Sequence, residues 1–276
     1  MIRLCTGDLL LDTIRETFEA NPVRIPEERL QPLVILGKIK SKSYFLGNVN
    51  NFEKLNNTKK APKINRSKLA NVTNKKTKEV NLDVGINILE GFLSGFGINA
   101  KLFGEIKTCL NGVKSLSFSF DDVVRLYVEP IEVSNWLLEN NTFLKSQAII
   151  PFSEEGKDLY IIDSVITSKS LSINIESKSD NNFIANIPTI QNILSSTDIK
   201  IETSLTNQTG ITFKGDKSLT FAFSCLSLYW DKSKTLISIL PNTELVNLGL
   251  GENKDIYYPT DKAILYNDPV LIEWSN

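Results

Sequence analysis

Strict alternation of apolar and polar residues constrains this chain more than any other feature of its sequence. Leu116, Phe118 and Phe120 interleave with Ser115, Ser117 and Ser119, and Leu171, Ile173 and Ile175 interleave with Ser170, Ser172, Asn174 and Glu176. Ile199 and Ile201 sit among Asp198, Lys200 and Glu202, while Leu219, Phe221 and Phe223 alternate with Thr220, Ala222 and Ser224. A period of two places one class of side chain on each face of a strand, whereas on a helix it would scatter the apolar residues around the axis. Such strands build antiparallel sheet with one apolar and one polar face. In water the apolar face must pack on helices. Strands of about nine to eleven alternating residues can also cross a bilayer, provided they close into a barrel.

Helix-period segments supply the packing partners. Leu10, Ile14 and Phe18 predict an amphipathic helix over 8–20, started by Asp8 and closed by Pro22. Val84, Ile88, Phe92 and Phe96 predict a second over 83–97, loosened by Gly85, Gly91, Gly95 and Gly97 at up to about 1 kcal/mol each relative to Ala. Leu102, Phe103, Ile106 and Leu110 mark a third helix and Trp136-Leu137 a fourth, and Pro188 opens a fifth carrying Ile190, Ile193 and Leu194. Leu33–Ile39 reads as a buried strand. The Asn-, Lys- and Thr-rich residues 53–79 read as a mobile loop or poorly ordered strands. The fold class is therefore α+β, a twisted and mainly antiparallel central sheet with surrounding helices.

Composition removes most enzyme classes. The chain has 276 residues and no histidine, so it has no imidazole base and no His-ligated zinc. Cys5, Cys109 and Cys225 are too far apart in sequence to form a CxxC pair, and three sparse cysteines fit a reducing cytoplasm. Asp12, Arg15 and Glu16 break the N-terminal apolar stretch, which does not read as a secretory signal, and no run of 18 apolar residues occurs.

Charge is unevenly spread. Residues 38–78 carry twelve Lys/Arg against Glu53, or +11, while residues 249–276 carry five acids against two lysines, or −3. The basic run, with Lys59, Lys60, Lys63, Arg66, Lys68, Lys75, Lys76 and Lys78 at its centre, reads either as a solvated loop or as a site for an anionic partner. Aromatics are confined to its start (Tyr44, Phe45, Phe52), which favours phospholipid over single-stranded nucleic acid.

Two apparent motifs carry little weight. Gly95-Phe96-Gly97-Ile98-Asn99-Ala100 matches the dinucleotide fingerprint but lies in a helix-period segment with no βαβ unit around it. The acidic pairs Asp121/Asp122, Glu129/Glu132 and Glu154/Glu155 read as surface solvation rather than acid–base couples.

Taken in order, several segments resemble the bacterial gasdermins. Cys5 precedes the amphipathic helix, and Ile25-Pro26 leads to Leu30-Gln31-Pro32-Leu33-Val34-Ile35-Leu36. Val84-Gly85 through Gly97 is similar to a helix of that family, and Phe118-Ser119-Phe120-Asp121-Asp122-Val123 to one of its strands. Leu159–Ile162 with Ile187–Ile190, then Gly210–Gly215 with Leu219–Phe223, resemble its later elements, so the likeness covers about residues 1–240.

The resemblance implies a gasdermin pore-forming domain over 1–245, a protease-sensitive linker over 246–254 and an autoinhibitory tail over 255–276. It implies an autoinhibited, non-catalytic protein, monomeric and cytoplasmic until a protease (caspase-like or other) encoded nearby removes the tail. The freed part would then bind phospholipid of the inner membrane, associate into a large ring and insert a β-barrel, killing the cell in anti-phage defence. The expected cut is Leu248–Gly249, with Leu250–Gly251 as the alternative. Ile256, Tyr257, Tyr258, Ile264, Leu265, Tyr266 and Trp274 would dock the tail, and Leu171, Ile173 and Ile175 would face lipid. No cofactor is implied beyond a palmitoyl group at Cys5, the acylated position by resemblance. No nucleic-acid partner is expected. The alternatives are a reversible acidic-lipid or nucleic-acid binding module without pore activity and, more remotely, a carboxylate-based hydrolase.

Overall fold

The computed structural model describes residues 20–39, 42–51, 60–70, 80–111, 113–140, 147–153, 157–177, 187–195, 199–207, 210–230 and 237–240. The helix expected over 8–20 lies, except for Ala20, outside the described residues. In chain order come β1 (Asn21–Glu27), β2 (Val34–Ile39), β3 (Lys42–Asn48), β4 (Asn65–Lys68), β5 (Val80–Asn81), α1 (Leu82–Gly95) and α2 (Ala100–Cys109). There follow β6 (Val113–Asp121), β7 (Val124–Tyr127), α3 (Pro130–Glu139), a 3-10 turn at Ile150–Ser153 and β8 (Lys157–Ser177). The series closes with α4 (Ile187–Ser195), β9 (Ile201–Asn207), β10 (Gly210–Trp230) and β11 (Ile237–Leu240). Among the described residues these strands form an 11-stranded sheet with β1-β10-β8-β2-β3 as its main path. β1–β10, β9–β10, β10–β11, β2–β3, β2–β8, β5–β6 and β6–β8 all pair antiparallel. The α+β class read from the alternation is the observed one.

The chain divides into two compact units, and the long strands β8 and β10 contribute residues to both. The first comprises Met1–Gln31, Asn65–Leu126 and Val165–Phe223. Its core is the apolar side of β6 and β8 covered by helices. Ile86, Leu89 and Leu93 of α1, Phe103 and Ile106 of α2 with Leu110 at its C-cap, and Ile187, Ile190 and Leu194 of α4 recur at helical spacing and are buried. They belong to one cluster with Leu116, Phe118, Leu171, Ile173 and Phe213.

The glycines of α1 serve close packing and termination. At the end of α1, Ile98 N–H reaches Leu93 O at 3.1 Å and Gly97 N–H reaches Ser94 O at 2.8 Å, with Gly97 at φ 97°. This is a Schellman stop, and Ile98 and Leu93 are both buried beside it. Asn99 then starts α2, its Oδ1 accepting Leu102 N–H at 3.0 Å. The apparent dinucleotide fingerprint is thus one helix stop followed by one helix start.

The second unit comprises Pro32–Ile64, Tyr127–Ser164 and Ser224–Asn276. Its core gathers Ile35 of β2, Val133, Trp136 and Leu137 of α3, Phe152 of the 3-10 turn, Leu159 and Ile161 of β8, and Leu226 and Leu228 of β10. Pro130 occupies the first turn of α3, where its missing N–H costs nothing. The strand expected from Leu33 begins at Val34, because Leu33 takes φ 71°. That backbone is held by Leu33 N–H to Ile162 O at 2.8 Å and Val49 N–H to Leu33 O at 3.0 Å.

Two expectations need correction. Within 53–79, residues 65–68 form a defined strand: β4 pairs with β7, and Leu69 N–H bonds Val123 O at 2.9 Å. Cross-strand hydrogen bonds, which composition does not encode, order this polar segment. Part of the polar face of β6, β8 and β10 is also buried, with Ser117, Ser170, Ser172 and Thr220 all 4% exposed or less.

Gly95 and Gly104 make a matched pair on α1 and α2. A Cβ at Gly95 would overlap the Pro26 carbonyl oxygen and stand 2.7 Å from Leu219 Cδ1, whereas nothing lies within 4 Å of one at Gly104. Gly95→Ala is expected to lower unfolding stability by about 1–3 kcal/mol in urea titration, and Gly104→Ala to raise it by up to about 1 kcal/mol.

Candidate functional site

The register of β6 against β8 brings two of the alternating segments together. Leu116 lies opposite Ile175, Phe118 opposite Ile173 and Phe120 opposite Leu171. Leu171 and Ile173 are fully buried and Ile175 is 5% exposed, all in the core with α1, α2 and α4. The three residues read as lipid-facing are thus covered by helices in this conformation. Phe120 extends the apolar side toward β10 by stacking on Phe221, centroids 4.3 Å apart.

The intervening positions form the opposite face: Ser117 opposite Asn174, Ser119 opposite Ser172, and Asp121 opposite Ser170. Burying an unbonded hydroxyl costs about 1–3 kcal/mol. The hydroxyls of Ser168, Ser170 and Ser172 are bonded. Ser170 Oγ and Ser172 Oγ donate to Asp121 Oδ2 at 3.1 and 3.0 Å, and Ser172 Oγ lies 2.6 Å from Thr212 Oγ1. Ser168 Oγ accepts Ser170 N–H at 3.0 Å and lies 2.6 Å from Asp121 O, which it faces as donor.

Asp122 adopts φ 50° where β6 gives way to β7, and Thr167 Oγ1 bonds Val124 O at 3.3 Å just beyond. The acidic pair Asp121/Asp122 is therefore structural: one member anchors hydroxyls and the other makes the turn. Sequence reasoning missed Asp121, Ser168 and Thr212 as a network. The only available signal was that Asp121 continues the Ser115-Ser117-Ser119 parity.

Lys60, Lys63, Arg66 and Lys68 are exposed. Arg66 and Lys68 lie on one side of β4 by strand parity. Lys60 and Lys63 line a shallow depression with Trp136 and the carboxylates Glu132 and Glu139, so their positive charge is partly offset locally. Lys59, Lys75, Lys76 and Lys78 lie outside the described residues. So do Cys5, the bonds Leu248–Gly249 and Leu250–Gly251, and the tail residues Ile256, Tyr257, Tyr258, Ile264, Leu265, Tyr266 and Trp274. Among the described residues no group of three or more Cys, Asp or Glu is placed to hold a metal, and no helix is long and apolar enough to cross a membrane.

Cys225 is 1% exposed on β10, and burial, then the charge of Asp163, pushes its thiol well above the ordinary 9.0 despite the opposing Lys38. Burial and then Glu105 also raise Cys109, whose Sγ faces Glu105 O at 3.5 Å. A thiol held protonated in the fold binds more protons than the unfolded chain above pH 9. Its contribution is present below the unfolded pKa and is lost as pH rises past it. Between pH 9 and 10.5, Cys225→Ala should therefore lose less stability than the parent, the difference reaching roughly 1 kcal/mol per pH unit in urea titrations.

The sequence profile of the Bacterial Gasdermin Family matches residues 23–235. Among curated relatives, Gasdermin bGSDM of a Vitiosangium species is 29% identical over 211 residues, covering 75% of this chain and 76% of the relative. Gasdermin bGSDM of a Desulfuromonadales bacterium is 26% identical over 229 residues, covering 80% and 82%. Among solved structures, a bacterial gasdermin from Bradyrhizobium tropiciagri superposes with a TM-score of 0.59 over 86% of this chain and 91% of that one, at 10% identity. The structural likeness speaks for the fold, and the profile, spanning well over half of the chain, for the family: the chain belongs to the bacterial gasdermins, a pore-forming rather than catalytic family.

Proposed function

We propose that this chain is an autoinhibited pore former, activated when a protease removes its C-terminal tail. The observation that carries the reading is the two-faced β6–β8 pair. Its apolar side is complete over Leu116, Phe118 and Phe120 against Leu171, Ile173 and Ile175, and in this conformation helices cover it. Exchanging helices for lipid tails keeps that side out of water, so the transition need not sacrifice apolar burial. It does require every backbone group to be paired in lipid, which only a closed barrel of many copies achieves with strands. β8 has 21 residues, twice the roughly 9–11 that a tilted strand needs to cross a bilayer.

Family membership and sequence support the remaining parts of the reading. The tail over 255–276 combines seven large apolar or aromatic docking residues with net acid, and removing it shifts the rest toward positive charge, favouring anionic phospholipid. Tethered, a weak docking contact holds through high effective concentration; once cut at Leu248–Gly249 it is lost. A palmitoyl group on Cys5 would add on the order of 12 kcal/mol of gross membrane attachment at about 0.8 kcal/mol per methylene. The activating protease, the large ring, the inner-membrane destination and cell death in anti-phage defence complete the reading.

The test is dye release from anionic liposomes, using the full chain with an engineered protease site replacing Leu248–Gly249. Leakage is expected only after cutting; binding without leakage in both states would instead indicate a reversible lipid-binding module. Leu171→Arg or Ile173→Arg should abolish leakage after cutting. Since both positions are buried, each uncut variant must first prove monomeric and folded, and the milder Ile173→Thr should reduce leakage in the same direction. A folded Arg variant that leaks as the parent does would remove these strands from the lipid-facing wall.

A further inference from the structure

We propose that the ring of Phe96, seated on Gly215 of β10, is the bolt that keeps α1 over the apolar side of β6 and β8, and that its withdrawal sets how fast the cut protein opens. This rests on the pore reading above and names the contact that governs its rate.

Glycine is costly inside a helix or a strand, and one without a positive φ marks a place where another group comes too close for a Cβ. Three such glycines surround α1. A Cβ at Gly85 would stand 2.8 Å from Leu116 Cδ1, and one at Gly95 would overlap the Pro26 carbonyl oxygen. One at Gly215 would overlap the Phe96 ring itself. Gly104 of the neighbouring α2 faces open space instead. The close fit to the sheet is thus a property of α1, at its start and at its end.

The end of α1 fixes the ring. Within the Schellman stop Phe96 N–H bonds Leu93 O at 3.1 Å, and the ring meets Phe92 edge-on with centroids 5.1 Å apart. The seat is fixed as well. Gly215 is the last residue of β10 paired with β9, opposite Ile201, and the next three residues, Asp216, Lys217 and Ser218, are all exposed. Pairing with β1 begins beyond this break in the alternation, at Thr220 opposite Glu27. The chain leaving β1 is tied to β10 there: Thr220 Oγ1 donates to Leu30 O at 2.7 Å, and Lys217 Nζ pairs with Glu28 Oε2 at 3.1 Å. Pro26 against Gly95 and β10 against Phe96 therefore hold the same turn of α1.

α1 carries Ile86, Leu89 and Leu93 into the cluster with Leu116, Phe118, Leu171 and Ile173. Those contacts are non-directional, and lipid tails can replace them as the helix lifts away. The ring on Gly215 is a matter of shape: it must come out before the helix moves, and its packing is lost before lipid arrives. A contact made in the closed state and absent from the transition state slows opening. A second ring of the same kind lies in the other unit. A Cβ at Gly37 of β2 would overlap the Phe152 ring, which has Tyr44 beside it at 5.8 Å. That ring holds no helix over β6 and β8, so it is a matched control.

The experiment uses the full chain with the engineered cut site, timing dye release from anionic liposomes after complete cutting. Phe96→Leu and Gly215→Ala should each speed release by roughly tenfold. Acting through one contact, the two together should give no more than the stronger alone. Phe152→Leu and Gly37→Ala should lower the urea stability of the uncut chain comparably and leave the release rate unchanged. Equal acceleration by both pairs would overturn the bolt, since opening would then follow overall stability; so would unchanged or slower release in Phe96→Leu. Hydrogen exchange of the uncut chain gives a reading that needs no pore. Phe96→Leu should expose the amides of α1 preferentially over those of α4, and a uniform change would overturn the proposal. Should Gly215→Ala fail to fold, Phe96→Leu, which overfills nothing, carries both readings. A parent chain that never leaks after cutting would remove the pore reading and with it the part of Phe96 in opening.

Discussion

The register of β8 is the constraint on which the rest depends. Residues Lys157–Ile161 pair with β2, and its far end pairs with β6 from Ser170 to Ser177. Because side chains alternate with a period of two, a slip of one residue would send Leu171, Ile173 and Ile175 to the hydroxyl side and Ser170 and Ser172 into the helices. Apolar burial of three large side chains on one side, and hydroxyl bonds to Asp121 on the other, both oppose that slip. Ser168 adds a local lock, bonding its own backbone at Ser170 and facing Asp121 O.

The same register gives the strand pair its two characters. The apolar side depends on α1, α2 and α4 only as a covering that keeps it from water, a role lipid can take over. The hydroxyl side is stable closed because its donors find Asp121 and Thr212. The described helices are all too short to cross a bilayer, and the chain belongs to a pore-forming family; closed barrels of strands are the other structures that satisfy every backbone group in lipid.

Much of the fold was legible because it follows from periodicity. Leu116-Phe118-Phe120 and Leu171-Ile173-Ile175 announced strands, and Ile190 and Leu194 after Pro188 announced α4. What stayed illegible involved partners distant in sequence. Asp121 reads as a solvated acid until Ser170 and Ser172, some fifty residues on, are placed beside it. Residues 65–68 read as a loop or poorly ordered strand because Asn, Arg, Ser and Lys carry no strand preference, and pairing with β7 overrides that local tendency. Gly95 reads as a weakness in a helix until the Pro26 carbonyl is found against it.

The sequence by itself determined the element types, the two-faced character of the strands, the exclusion of imidazole chemistry and the family likeness, since each is written in local spacing or in composition. Tertiary structure alone decided that Ser117, Ser170 and Ser172 are buried, that Asp121 bonds two of them, and that the Gly95–Asn99 motif is a helix stop and start. The physical reason is that hydrogen bonding and burial depend on which distant segments meet, and a period of two tells which residues share a face without telling what that face will touch.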